Sequence, residues 1–129
     1  MEGVVVIAQE RYPLISILVP NYNYVQYVAT AVDSALAQTY PNFEVVVCDN
    51  RSTDGAWELL NERYGDDPRV RLHQNETNIG MARNFDRLLE LARGRYVMCL
   101  SSDDFLYPSH LTQLEQGFAR DPGLDVVYW

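Results

Sequence analysis

The sequence predicts an α/β domain that is built on a mainly parallel sheet. Short apolar runs of strand length alternate along the 129 residues with stretches in which apolar residues recur at helical spacing. This alternation implies parallel strands joined by right-handed crossover connections. Three of the strands end in amide, hydroxyl or carboxylate side chains, and ligands of such sheets bind beyond the carboxyl ends of the strands. The fold class therefore indicates where a functional site would lie.

Four apolar runs have the length of well-defined strands. They are Ile15–Val19, Phe43–Cys48, Val70–Leu72 and Tyr96–Leu100, and the runs Val4–Ala8 and Val126–Trp129 fit an edge strand and a last strand. Pro20 is expected to end the first run. We place Val4–Ala8 in a leader of residues 1–13 and assign residues 14–129 to a single domain.

The fourth run, Tyr96–Leu100, is unbroken and apolar, which predicts a strand buried on both faces. We expect the first strand to lie between the second and the fourth. Cys48 and Cys99 would then be separated by two strand spacings, roughly 9 to 10 Å. Because that distance exceeds the reach of a disulfide, both thiols are expected to be buried and reduced.

Four helices follow from the apolar periodicity between these strands. The first ends before Pro41, because the residue before a proline avoids the helical region. Ser52 and Asp54 offer capping groups for the second helix, and Pro108 suits the first position of the fourth. Their inner faces are expected to carry, in turn, Val28, Val32 and Leu36; Trp57, Leu60 and Tyr64; Met81, Phe85, Leu88, Leu89 and Ala92; and Leu111, Leu114 and Phe118.

Composition excludes several classes of function. The net charge is −8, and all ten basic residues are arginine. So acidic a chain is a poor binder of nucleic acid and of anionic membrane surfaces. The sequence shows no signal peptide, because Glu2 replaces a basic start, and no apolar run approaches the length of a transmembrane helix. We expect a cytoplasmic protein.

Two adjacent carboxylates, Asp103 and Asp104, follow the fourth strand. They repel each other unless a cation or hydrogen-bond donors lie between them. Hard oxygen ligands of this kind favour Mg²⁺ or Mn²⁺. The alternative interpretation is a polar turn between a strand and the next helix.

Four segments carry motifs that are more specific than this pair. They are Ser16–Asn23, Gln38–Gly55, Asn78–Asn84 and Leu100–Pro108. In this order they resemble the motifs of a family 2 glycosyltransferase with the GT-A fold, from about Leu14 to the end of the chain. The resemblance implies a three-layer sandwich. It also implies that this sequence contains the nucleotide-binding half of the enzyme and not the acceptor-binding part.

The resemblance also implies roles for single residues at the nucleotide. Tyr22 would lie against the base, with Pro20 shaping the turn; a surface tyrosine is the alternative. Asp49 and Asn50 would hold the base and ribose, although relatives carry an acidic pair there and Asn50 puts the preference among bases in doubt. Arg83 would reach the nucleotide, unless it forms an ion pair with Asp86 or Asp49.

The turn after the fourth strand would hold the metal and the diphosphate. Relatives commonly begin this motif with a carboxylate where this sequence has Ser101. That leaves Asp103 as the expected direct ligand of Mg²⁺ or Mn²⁺, with Asp104 as a helper and Ser102 at the nucleotide. The loss of one carboxylate predicts a lower metal affinity.

The activity implied is inverting transfer of a sugar, expected from a UDP-sugar, to an acceptor hydroxyl. In relatives the catalytic base is an acidic residue well downstream of the metal turn, and we find no candidate for it in this sequence. We therefore expect the chain alone to be inactive, and the full-length protein to be cytoplasmic or peripheral at the inner face of the membrane. A non-catalytic module that binds nucleotide sugars or a partner is the alternative.

Overall fold

The computed structural model describes residues 11–123, so the predicted strands at Val4–Ala8 and Val126–Trp129 lie outside the described residues. Between those limits the chain forms β1 (Ile15–Asn21), α1 (Val28–Leu36), β2 (Phe43–Asp49), α2 (Ala56–Tyr64), β3 (Val70–Gln74), α3 (Met81–Leu91), β4 (Tyr96–Cys99) and α4 (His110–Arg120).

The four strands form one parallel sheet in the order β3-β2-β1-β4. This confirms the prediction that the first strand lies between the second and the fourth. In the register of the sheet, Pro20 of β1 pairs with Cys48 of β2, while Leu18 of β1 pairs with Cys99 of β4. Both cysteines are free, as this separation requires.

Helices cover both faces of the sheet. Ile17 and Val47 point into the larger core, which also contains residues of α1, α2 and α4. Leu18 and Val46 point to the opposite face and pack with Leu88 of α3. This alternation produces three layers, and among the described helices α3 is the one that covers the second face. No helix in residues 11–123 combines the length and the apolar composition that a membrane crossing needs.

The first strand continues past Pro20, contrary to the prediction that it would end there. β1 pairs with β2 as far as Asn21, but its pairing with β4 stops at Leu18. Pro20 therefore lies where no hydrogen bond to β4 is required of it. A residue without an N–H is tolerated at such a position.

The prediction that β4 is buried on both faces is wrong. Among the described residues β4 pairs with β1 alone, and Val97 and Cys99 are exposed. The other face of β4 packs on the core, where the Tyr96 ring stacks on Phe118 with 4.2 Å between ring centroids. An apolar run does not distinguish an edge strand from a central one. Of the two thiols that were expected to be buried, only that of Cys48 is buried.

Two details of the helices also differ from the predictions. Pro108 precedes α4, which begins at His110. The Pro108 carbonyl accepts a hydrogen bond from the Thr39 backbone N at 2.9 Å. On α3, Leu88 is buried, but Met81 and Leu89 are 82% and 43% exposed. The first residue of α3 lies beyond the strand ends and has no sheet beneath it.

A buried carboxylate ties together the amino-terminal ends of the strands. Glu44 Oε1 accepts hydrogen bonds from Ser16 Oγ at 2.7 Å and from the Arg93 backbone N at 2.8 Å. Its Oε2 pairs with Arg71 Nη1 at 2.8 Å. Burial raises the pKa of Glu44, but these hydrogen bonds and the Arg71 charge outweigh it and hold the pKa below its ordinary value. One side chain therefore joins β1, β2, β3 and the segment before β4.

Replacing Glu44 by glutamine is expected to lower the free energy of unfolding by about 2 kcal/mol at neutral pH, because hydrogen bonds to a charged group are lost. The folded-state pKa of Glu44 lies below its ordinary value of 4.5. Its contribution is therefore fully present above that value and is lost as the pH falls through the folded-state pKa. Urea unfolding across this range should show a steeper acid loss in the unmutated chain than in Glu44→Gln.

The matched control is Glu90→Gln, on the exposed side of α3. It should change neither the stability at neutral pH nor its acid dependence. Equal losses in the two variants would contradict the anchoring role of Glu44.

Candidate functional site

A cleft opens beyond the carboxyl ends of β1, β2 and β4, beside the first turn of α3. Its volume is about 410 Å³, which is within the range of small-molecule sites. The residues that line it are Pro20, Asn21, Tyr22, Tyr24, Asn50, Met81, Asn84, Ser101, Ser102 and Asp103. This is the position that the fold class predicts for a ligand.

Most of the predicted nucleotide-binding residues meet in this cleft. Those that line it are Pro20, Tyr22, Asn50, Ser102 and Asp103. The remaining two, Asp49 and Arg83, do not line it. The structure therefore brings together the ends of three strands as expected, and it places two of the predicted residues elsewhere.

Asp49 lies fully buried at the end of β2. Its Oδ1 accepts hydrogen bonds from Asn21 Nδ2 at 2.9 Å and Ser52 Oγ at 2.6 Å. Its Oδ2 accepts from the Ser52 backbone N at 3.0 Å and from Gln74 Nε2 at 3.1 Å. The chain itself thus fills the acceptor sites of this carboxylate, which fixes the turn after β2.

Ser52 belongs to this turn and is not a helix cap, contrary to the prediction. Its hydroxyl donates to Asp49 and accepts from the Asn23 backbone N at 2.9 Å. The Ala56 backbone N, at the start of α2, donates to Asp54 Oδ1 at 3.0 Å. The N-cap position is Gly55, so Asp54 binds an N–H of the first turn from the residue before the N-cap, and only this part of the predicted capping is confirmed.

Asn50 holds the loop that precedes α3. Its Nδ2 donates to Asn78 Oδ1 at 2.9 Å and to the Gly80 carbonyl O at 3.3 Å. Its Oδ1 accepts from Asn75 Nδ2 and from the Ile79 backbone N, both at 2.9 Å. An aspartate could not donate the first two bonds. The amide at this position is therefore matched to the conformation of the loop.

Two further buried asparagines, absent from the predicted set, extend this network. Asn75 Nδ2 also donates to Asn84 Oδ1 at 2.8 Å, and Asn84 Nδ2 donates to the Cys48 carbonyl O at 3.0 Å. Arg87 Nη1 donates to Asn75 Oδ1 at 2.9 Å. The signal in the sequence was an amide four residues before Leu88, on the inner face of a helix, where an unpaired polar group is costly. The network links α3 to the end of β2.

Asn21 has a buried acceptor without a partner. Its Nδ2 donates to Asp49, whereas its Oδ1 makes no hydrogen bond within the described part of the chain. An unsatisfied buried group of this kind costs about 1–3 kcal/mol.

Arg83 lies on the exposed side of α3, away from the cleft. It lines a separate depression together with Asp86, Arg87 and Glu90. Within residues 11–123 it forms neither of the predicted alternative ion pairs, with Asp86 or with Asp49. Its part in nucleotide binding stays a prediction.

The turn after β4 offers oxygen ligands to a cation. Asp103 lines the cleft with Ser101 and Ser102, whereas Asp104 does not line it, and both carboxylates are exposed. No group of three or more His, Cys, Asp or Glu side chains in the described ranges could hold a metal ion. One carboxylate and a hydroxyl fit Mg²⁺ or Mn²⁺ only when water or a bound diphosphate supplies further oxygens.

Comparison with known proteins identifies the family to which the chain belongs. The family model described as glycosyl transferase family 2 matches residues 16–129. The chain belongs to glycosyltransferase family 2. It is 40% identical over 118 residues to a chondroitin synthase of Pasteurella multocida (strain Pm70). That match covers 92% of this chain and 12% of the synthase, so the chain spans a small part of its relative.

Solved glycosyltransferase structures share the fold. The mannosyltransferase PcManGT of Pyrobaculum calidifontis, in complex with GDP-Man and Mn²⁺, gives a TM-score of 0.80 at 26% identity and covers 87% of this chain and 34% of its own. S. aureus TarS 1-349, in complex with UDP-GlcNAc, gives 0.77 at 27% identity and covers 88% and 37%. The predicted GT-A fold is confirmed.

Replacing Asn50 by aspartate is expected to destabilise this family 2 domain, although it restores the acidic pair of the motif. The two donated hydrogen bonds are lost, and a carboxylate then faces the oxygens of Asn78 and Gly80. We expect a loss of about 2 kcal/mol in the free energy of unfolding, measured with urea. Gln116→Glu, an exposed amide-to-carboxylate change on α4, is the control. If both variants were equally stable, Asn50 would not hold the loop.

Proposed function

We propose that this chain binds a nucleoside-diphosphate sugar, with UDP as the nucleotide, in the cleft beyond β1, β2 and β4. It would form the donor-binding part of an inverting glycosyltransferase that passes the sugar to an acceptor hydroxyl. The observation that carries the proposal is the convergence of five predicted nucleotide-binding residues in one cleft of a family 2 domain. The complex of the similar TarS structure with UDP-GlcNAc supports UDP as the nucleotide.

The base would occupy the part of the cleft formed by β1 and the residues after it. Tyr22 is 42% exposed and lines the cleft beside Pro20, so its ring is available to stack on a base. The side chain of Asn50 is already engaged with the loop before α3. Asn50 therefore supports the base site by positioning that loop.

The diphosphate would lie at the turn after β4. Asp103 would hold Mg²⁺ or Mn²⁺, with Asp104 as a helper and Ser102 at the nucleotide. When bound, the cation neutralises charge that develops on the leaving diphosphate. Without it, a diphosphate that approaches Asp103 meets like charge in a chain of net charge −8. The Mn²⁺ in the complex of the similar mannosyltransferase supports this assignment.

The catalytic base is expected from residues other than those of the cleft. Asp103 is the one carboxylate that lines the cleft among the residues described. A carboxylate bound to a cation is not free to take the proton of the acceptor hydroxyl. We infer that this chain binds the donor without turning it over.

The product and the place of action are part of the proposal. Similarity to a chondroitin synthase supports a role in polysaccharide biosynthesis, and we propose that the polysaccharide belongs to the cell surface. Nucleotide sugars are the donors, and we propose that the whole protein acts in the cytoplasm or at the inner face of the membrane.

Binding of UDP is expected to depend on Mn²⁺. Calorimetric titration should show tighter binding with Mn²⁺ than with a chelator, by on the order of tenfold or more, and UDP should tighten Mn²⁺ by the same factor. Asp103→Asn is expected to abolish this gain, because the ligand in the cleft loses its charge. Ser101→Asp is expected to increase it, because a second carboxylate enters the site.

Asp66→Asn is the matched control, since Asp66 is an exposed carboxylate between α2 and β3 that does not line the cleft. It should keep the gain. Equal UDP affinity with Mn²⁺ and with chelator would overturn the metal role, and failure of UDP to bind under either condition would overturn the nucleotide assignment. Product formation by a longer chain with the Asp103→Asn change would indicate that the metal turn is not part of the reaction.

A further inference from the structure

Met81 is the most exposed large apolar side chain among the described residues, at 82%. A single exposed methionine is ordinary on a protein surface. This one, however, lines the cleft, together with Tyr22 and Tyr24. Its position at the mouth of a proposed ligand site therefore calls for a functional explanation.

The backbone that carries Met81 is held on both sides. Before it, the Gly80 carbonyl accepts hydrogen bonds from Asn50 Nδ2 at 3.3 Å and from the Asn84 backbone N at 3.1 Å. After it, the buried Asn84 side chain is bonded to Asn75 and to the Cys48 carbonyl. The thioether is thus a flexible side chain on a fixed backbone.

Met81 and the two tyrosines reach the cleft from opposite layers of the fold. Tyr22 and Tyr24 lie between β1 and α1, and α1 covers one face of the sheet. Met81 begins α3, which covers the other face. A flat ligand that enters the cleft between these segments would have an aromatic ring on one side and the thioether on the other.

We infer that Met81 forms the second wall of the base site, opposite Tyr22. This inference rests on the proposed function and names a further residue that contacts the base. The faces of a nucleobase offer no hydrogen bonds, so their binding depends on apolar and polarisable contacts. A thioether supplies both on a side chain that adapts to the ring beneath it.

The first test compares nucleotides by calorimetry in the presence of Mn²⁺. Met81→Ala is expected to weaken UDP binding by about tenfold through loss of the contact with the base. It should weaken GDP binding as well, because a contact with the face of a base does not distinguish a purine from a pyrimidine. Met81→Leu, which keeps the volume, should stay within about twofold of the unmutated chain.

The control is Leu89→Ala, on the same helix and also exposed, but outside the cleft. It should leave both affinities unchanged. An unaltered UDP affinity in Met81→Ala would overturn the inference while the proposed function stood. Absence of UDP binding to the unmutated chain would overturn the proposed function and the inference together.

The second test does not depend on a mutation. Mild peroxide oxidises exposed methionines to the sulfoxide, and mass spectrometry resolves the rate at each residue. Saturating UDP with Mn²⁺ should slow oxidation of Met81 several-fold, whereas that of the partly buried Met98 on β4 should not change. An unchanged rate at Met81, in a sample shown by calorimetry to have bound UDP, would place the base elsewhere.

Discussion

The cleft depends on one buried charge, the carboxylate of Asp49. A charge in the interior of an apolar sheet is stable only when its acceptor sites are filled by donors. The donors come from Asn21 at the end of β1, from Gln74 at the end of β3 and from Ser52 in the turn that follows. The carboxylate thus holds the ends of three adjacent strands in register. Asn21, Tyr22 and Asn50 line the cleft from the ends of β1 and β2 that this carboxylate holds, while Ser101, Ser102 and Asp103 line it from the turn after β4.

β2 carries such a carboxylate at each end. Glu44 joins the amino-terminal ends of the strands, and Asp49 joins the carboxyl ends. Between them Val45 and Val47 face the larger core, while Val46 and Cys48 face α3. The strand therefore contributes apolar contacts to both helical layers and a hydrogen-bonded carboxylate at each of its two ends. Asn50, the next residue, extends the second anchor to the loop before α3.

The sequence was informative where the chain has few physical choices. Alternation of strands and helices and the handedness of crossovers restrict the sheet order, and that order brings Tyr22, Asn50 and Asp103 to one edge. Exposure was harder to predict. An apolar run such as Tyr96–Leu100 does not say whether a strand has one neighbour or two. Helical periodicity gives the inner face of α3 but not how far the helix extends beyond the sheet, so Met81 was expected in the core.

Polar contacts across loops were also beyond reach of the sequence. Serine is a common helix-capping residue, which is why Ser52 was expected to cap α2. Its actual hydrogen-bond partners, Asp49 and Asn23, depend on the conformation of the turn. The network of Asn50, Asn75 and Asn84 divides the cleft into two kinds of position. Replacing one of these amides leaves a buried hydrogen-bond partner unpaired, so the change destabilises the fold before it alters the choice of ligand. Tyr22, Tyr24 and Met81 are at least 42% exposed, and replacing them unpairs nothing in the network. Natural divergence of donor preference, and any library built to redirect it, therefore has its freedom at the rim of the cleft and not at its floor.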